Sequence, residues 1–327
     1  MKQFNIIGLM SGTSLDGLDV VYVNFKHDKF WKYEIINSKT YKYEKKWISF
    51  LKNISKQKIN SIIKIDKDYT KLLSEYILKF INEFSIKEID FVSSHGHTAL
   101  HQPSNSLTYQ IGNLPIFAKY INQKVVCDFR VQDLELGGQG APLVPVGEKY
   151  LFPEFDTLIN LGGFANITKK IKNNLIAYDI CPINIIFNHL SRIIKLEYDD
   201  KGDIASSGNI NKDLYNYLQR LDYYKLDPPK SLGIEWVNNY VYSILKNFNN
   251  ISIKDLMNTF SNHFAFQIAK NIGEQDQVLI TGGGAYNDYL IDRIKNLTNS
   301  KIIIPDPKII EYKEALIFSF LGLLRVL

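Results

Sequence analysis

Cysteine is nearly absent from this 327-residue chain, standing only at Cys127 and Cys181. One pair cannot build a disulfide framework and lacks metal-ligand spacing, so a reducing compartment is expected. Arginine is also scarce: among 39 basic residues it occurs only as Arg130, Arg192, Arg220, Arg293 and Arg325. The basic residues are dispersed and the net charge is only +5, so no nucleic-acid-binding patch is expected. Hydrophobic runs long enough to span a bilayer are missing, and the most apolar stretch, Ala315 to Leu324, suits a buried helix. The opening MKQFNIIGLMSG has neither the long apolar core nor the small-residue cleavage site of a signal peptide. A cytoplasmic protein with no membrane partner is therefore expected.

What remains is an ordinary globular composition, 45% apolar and 22% charged, which excludes disorder over most of the chain. The length favours two domains. Residues 4–9, 20–25 and 31–44 read as an antiparallel meander, followed by a helix over 70–85 and a strand at 90–93. A helix near 114–122 and a strand at 124–129 lead to the Gly-rich stretch 137–142, with the domain change soon after. The grammar then restarts: strands at 157–161 and 174–180, a helix over 183–196, mostly helix through 211–272 with a break at Asp227-Pro228-Pro229. Strand 277–281, a helix near 286–297, strand 301–304 and a final helix from about 313 complete the chain. Two halves that each open with strands and a glycine turn point to a duplicated α/β architecture.

The turn Ser11-Gly12-Thr13-Ser14-Leu15-Asp16-Gly17-Leu18-Asp19 gathers hydroxyls, glycines and two carboxylates between two strands. Glycines let backbone N–H groups approach a phosphate, hydroxyls add donors, and Asp16 is the candidate magnesium ligand. A plain hairpin turn uses the same residue types. The phosphate reading gains from recurrence, because strand 157–161 is followed by Gly162, Gly163 and Asn166, and strand 277–281 by Gly282, Gly283 and Gly284. A nucleotide held between two related domains needs several such corners. No Walker ending, Gly-Lys-Ser/Thr before a helix, is present.

The segments GLMSGTSLDGLD (8–19), SSHGHT (93–98), QIGN (110–113), DFRVQDLELGGQGAPLVP (128–145), NLGGFANIT (160–168), PPKSLG (228–233) and GGGAYN (282–287) are specific. In this order, across the chain, they resemble the anhydro-N-acetylmuramic acid kinase family. The resemblance implies two ribonuclease-H-like domains of the actin and hexokinase superfamily with a nucleotide cleft between them, spanning 1–145 plus 313–327 and 146–312. It also implies ATP and Mg2+ as cofactors and a homodimer. The implied reaction opens the internal bridge of 1,6-anhydro-N-acetylmuramic acid with water while the terminal phosphate passes to the released 6-hydroxyl. The product, N-acetylmuramic acid 6-phosphate, belongs to peptidoglycan recycling. Kinases of other anhydro sugars or sugar hydroxyls, and a nucleotide-dependent binding protein without turnover, are the alternatives.

Water is a poor nucleophile, so the reaction needs a carboxylate to take its proton. The family's base lies in an Asp-Thr-Gly-Pro-Gly-Asn motif, matched here by Asp179-Ile180-Cys181-Pro182-Ile183-Asn184. Asp179 is the implied base, although a carboxylate capping the following helix would look the same in sequence. Ile180, Cys181 and Ile183 depart from the motif and suggest a changed substrate pocket. The resemblance also assigns His95, Arg130, Asn184 and Glu314 to the sugar, a guanidinium being suited to sugar oxygens or a carboxylate. His97 stands where the family usually has Gln. His95, His97 and His101 lie close in sequence, but Gly96 and the strand-to-turn geometry argue against a shared metal.

Overall fold

The computed structural model describes residues 2–12, 15–172 and 174–327. The chain divides into two compact units, one made of residues up to Phe152 together with Tyr312–Leu327, the other of Pro153–Glu311. The expected change at 145/146 falls inside the helix Val144–Leu151, which stays whole with the first unit. Two contacts hold it there: Gly147 packs so tightly on Ile317 that a Cβ would come within 2.5 Å, and Glu148 pairs with Lys313 at 2.6 Å.

The first unit contains strands β1 (Lys2–Met10), β2 (Gly17–His27), β3 (Trp31–Lys42), β4 (Phe91–Ser94), β5 (His97–Gln102), β6 (Leu107–Ile111) and β7 (Val125–Val126). Its five-stranded sheet has the order β3-β2-β1-β4-β7. β1 to β3 run antiparallel, while β4 joins β1, and β7 joins β4, in parallel. The helix Ile59–Glu83 buries Ile62, Ile65, Tyr69, Leu73, Ile77 and Phe80, spaced so that one stripe faces the sheet. It begins well before the expected residue 70 because its first turns already place Ile62 and Ile65 on that stripe. The hairpin β5–β6 was not anticipated; its strands are short and mostly polar. The Ala315 to Leu324 stretch lies inside the helix Pro307–Val326, with Leu316, Ile317, Phe318, Phe320 and Leu323 at 0% exposure, as expected of a buried helix. This helix crosses β1 so closely that a Cβ on Gly8 would lie 2.5 Å from Ala315 O.

The second unit carries β8 (Thr157–Leu161), β9 (Phe164–Ile171), β10 (Asn174–Pro182), β11 (Gln277–Thr281) and β12 (Lys301–Ile303), in the order β10-β9-β8-β11-β12. Again the first three are antiparallel, and β11 and β12 are added in parallel. Both sheets therefore have the 3-2-1-4-5 arrangement of a ribonuclease-H-like domain. The expected mostly helical region 211–272 is found as helix Lys212–Gln219, a helical run through 234–248 and helix Ile253–Lys270, with the expected break at Asp227-Pro228-Pro229 non-helical. Asn211 and Ser252 cap the two helices by accepting from Leu214 N and Asp255 N. Among the described residues no helix is long and apolar enough to cross a membrane.

Candidate active site

In the first unit β1 and β4 run side by side, so the turn after β1 and the chain after β4 leave the sheet at adjacent points. Ser11 follows β1 and is buried; its Oγ lies 2.9 Å from His97 Nδ1 and accepts from Tyr43 OH at 2.8 Å. Tyr43 OH in turn meets Tyr69 OH at 2.6 Å. The hydroxyl expected to face a phosphate is thus committed to a buried network. Burial pushes His97 down to about 4, so its imidazole is neutral. Leu15 has φ 59°, and Gly17 lies where a Cβ would come 2.6 Å from Tyr41 O. Leu18 is in the core. Asp19 accepts from Thr40 Oγ1 at 2.6 Å, whereas Asp16 is exposed. Thr13 and Ser14 lie outside the described residues.

His95, expected at the sugar, is 3% exposed and both its ring nitrogens are occupied. Nδ1 lies 2.9 Å from Gly96 O, and Nε2 accepts from Arg130 Nε at 2.9 Å. Because Nε2 accepts, the proton is on Nδ1, and burial together with the Arg130 charge pushes the ring down to about 3. The substrate-contact role expected for His95 is corrected: the residue holds Arg130 rather than offering an atom to a ligand. Arg130 Nη1 also donates to Gly140 O at 2.8 Å, so two of the three guanidinium nitrogens are pinned and Nη2 has no protein partner among the described residues. Burial lowers the Arg130 pKa, opposed by Glu314 and Asp133. Glu314 is pushed up by burial, with Lys313 and Arg130 pulling the other way. Glu314 and Arg130 therefore lie within electrostatic reach of each other.

Sequence reasoning gave QIGN no individual role, yet Asn113 ties this region together. Its Nδ2 donates to His95 O at 3.3 Å and Asp128 Oδ1 at 3.4 Å, while Ser94 Oγ donates to its Oδ1 at 2.8 Å. The buried Asp66 fixes the neighbouring Gly112 by accepting its N–H at 2.7 Å.

In the second unit the glycine corners meet. Gly162 O and Gly163 O accept from the N–H groups of Asn184 and Ile183, and Asn184 Nδ2 donates to Leu161 O at 3.1 Å. Gly282, at φ 81°, lies against Leu161, and a Cβ there would come 2.6 Å from Asn160 Oδ1. By contrast Gly163 has nothing within 4 Å of a would-be Cβ, and Gly283 only Asn184 Nδ2 at 3.9 Å. The tight glycines build the corner and the open ones leave space in front of it.

Asn160, Asn166 and Asp179 are partners on one rung of β8, β9 and β10, so their side chains share a face. A register shift follows Asp179, where the strand bends toward the helix Asn184–Ile193. Asp179 Oδ2 accepts from Leu232 N at 2.8 Å, its backbone N–H donates to Lys230 O, and its carbonyl accepts from Tyr223 OH at 2.6 Å. Oδ1 has no partner among the described residues. Desolvation raises the Asp179 pKa, partly offset by the Leu232 N–H. The carboxylate does not cap the helix that follows, since that helix records no side-chain cap. The segment PPKSLG supplies both Lys230 and Leu232, a role not evident before the fold was known.

Ile180, Cys181 and Ile183 are each no more than 1% exposed and lie in the second unit's hydrophobic core. The departures from the family motif therefore alter core packing, and the changed pocket expected from them is not what the structure shows. Cys181 is an inert thiol, its pKa pushed well up by burial.

Two ribonuclease-H-like units define the chain as a member of the actin- and hexokinase-like ATPase fold. One solved structure that shares it is the activator of the 2-hydroxyisocaproyl-CoA dehydratase from Clostridium difficile with bound ADPNP, at TM-score 0.51 and 17% identity, covering 99% of this chain and 97% of that one. Within that fold, the profile described as anhydro-N-acetylmuramic acid kinase matches residues 4–327. Proteins of that name from Bacillus cereus (strain ATCC 10987 / NRS 248) and Bacillus thuringiensis (strain Al Hakam) are 34% and 32% identical, covering 97% and 98% of this chain and 91% and 92% of theirs. The chain belongs to the anhydro-N-acetylmuramic acid kinase family.

Proposed function

We propose that this chain is an ATP-dependent carbohydrate kinase that opens 1,6-anhydro-N-acetylmuramic acid with water and phosphorylates the released 6-oxygen, in cytoplasmic recycling of peptidoglycan. The observation that carries the reading is family membership over residues 4–327 with Asp179 retained. The alternative of a different sugar loses its motive once Ile180, Cys181 and Ile183 are found in the core.

Asp179 takes the proton of a water molecule as its oxygen bonds to the anomeric carbon. The C1–O6 bond breaks, and O6 forms its bond to the γ-phosphorus while the bond to ADP is lost. Desolvation makes Asp179 a stronger base than an exposed carboxylate, and the Leu232 N–H fixes one oxygen so that the other is presented. Arg130, held by His95 and Gly140, binds a polar substituent of the sugar, with Glu314 within electrostatic reach of it. In the first unit the turn at 11–17 is the proposed phosphate contact; in the second the open glycines Gly163 and Gly283 take that role, on a corner formed with Gly162, Asn184, Gly282 and Gly284 and with Asn166 on the adjoining rung.

Magnesium fits as a companion of ATP rather than a resident metal. Among the described residues no group of three or more His, Cys, Asp or Glu could hold an ion, and Mg2+ commonly takes only one or two carboxylates plus phosphates and water. The exposed Asp16 would supply such a carboxylate, and the ion would neutralise the phosphate charge.

Mass spectrometry of rapidly quenched product made in oxygen-18 water tests the reaction. Label on the anomeric carbon and none in the phosphoryl group is expected. Unlabelled sugar phosphate, or label confined to free phosphate, would contradict it.

A further inference from the structure

His101, in β5, is used by nothing described so far. Its Nδ1 lies 3.1 Å from Thr108 Oγ1. That hydroxyl accepts from Gln110 Nε2 at 2.8 Å and has Leu100 O at 3.5 Å as its only other acceptor. The hydroxyl can give its proton to His101 Nδ1 or accept one from it, because Leu100 O is an alternative acceptor; either way Nδ1 is engaged inside the protein. His101 is exposed, and Nε2 has no protein partner among the described residues.

The ring lies against the glycine that pins Arg130. A Cβ on Gly140 would come 3.1 Å from His101 Cε1 and 3.3 Å from Arg130 O, while Gly140 O accepts from Arg130 Nη1. The charge of Arg130 reaches His101: burial first, then this cation, lowers the imidazole pKa. Gly140 thus has a fixed guanidinium on its carbonyl and an exposed imidazole, with Nε2 unengaged among the described residues, against its α-carbon.

We infer that Arg130 and His101 form a subsite for the lactyl carboxylate that distinguishes a muramic acid from plain N-acetylglucosamine, with His101 setting the preference for the acidic sugar. A carboxylate has two oxygens to satisfy, and Arg130 offers only part of its fork because Nε and Nη1 are committed within the protein. Its charge is also shared with Glu314 and Asp133. His101 Nε2 has no anionic partner and completes the set: a carboxylate brought beside the ring raises its basicity, and the protonated ring donates from Nε2 whichever tautomer the free protein holds. A neutral amide in the same place gains nothing of this kind.

The inference rests on the proposed sugar. Titration calorimetry of the full chain compares 1,6-anhydro-N-acetylmuramic acid with its lactyl carboxamide, which keeps the shape and loses the charge. Wild type should bind the acid about tenfold more tightly, the scale of one charge-assisted hydrogen bond, and His101→Ala and His101→Gln should bring the ratio near one. ATP affinity should be unchanged in both variants. Equal binding of both sugars by wild type, survival of the preference in the variants, or an equal loss on both sugars overturns the subsite. A wild type that binds neither sugar contradicts the proposed substrate itself, and the subsite falls with it.

Discussion

The two units share one strand order and use it differently. In the first, the polar groups at the ends of β1 and β4 are buried and paired: Ser11 with Tyr43 and His97, His95 with Arg130. What reaches outward is the remainder of a guanidinium. In the second, three asparagine and aspartate side chains share a rung beside open glycines, and Asp179 keeps one oxygen unengaged. One copy of the topology commits a histidine to holding a cation still, and the other leaves one oxygen of a carboxylate unengaged.

The contrast can be broken most strongly with acid. His97 has its folded pKa depressed from 6.5 to about 4, so the unfolded chain binds the proton more readily and stability falls as pH drops through that window. The loss from this residue is up to roughly 3 kcal/mol, and urea titrations from pH 7 to pH 4 should show it. His97→Gln should flatten the acid limb; an unchanged slope would mean that the ring is not held neutral. Next in size, Arg130→Lys should lose about 50-fold in kcat/KM, because an ammonium cannot bond His95 Nε2 and Gly140 O while reaching outward. Retained activity would show that the double anchoring is unimportant. The smallest effect sharpens the account of the glycine corner. Gly282→Ala meets Asn160 and Leu161 at positive φ and should cost about 1–2 kcal/mol. Gly163→Ala enters open space and should leave the melting curve in place while weakening ATP binding several-fold. Equal effects on stability would remove the distinction between building and facing glycines.

Much of this was legible in the sequence because it depends on local pattern. Alternation and apolar runs marked β1, β2, β8 and β11, and strand-end glycines marked the corners. β9 was missed although FANITKKI alternates, because it follows the Gly162-Gly163 turn directly. The Val125–Val126 strand is shorter than its apolar run, since Asp128 takes a left-handed conformation and starts a helix. The site was legible as residue types and opaque as roles. Whether His95 faces a ligand or Arg130, and whether Ile180 and Ile183 face a pocket or a core, depends on partners far away in the chain.

The central claim is that Asp179 removes the proton from the attacking water. Asp179→Asn keeps a side chain of the same size and an acceptor for the Leu232 N–H, so nucleotide and sugar binding should survive while sugar phosphorylation falls by at least about a thousandfold. Single-turnover assays with ATP and 1,6-anhydro-N-acetylmuramic acid, alongside calorimetric titration of both ligands, read the two outcomes separately. Turnover within a factor of about ten of wild type would contradict the account, because a carboxamide cannot take that proton.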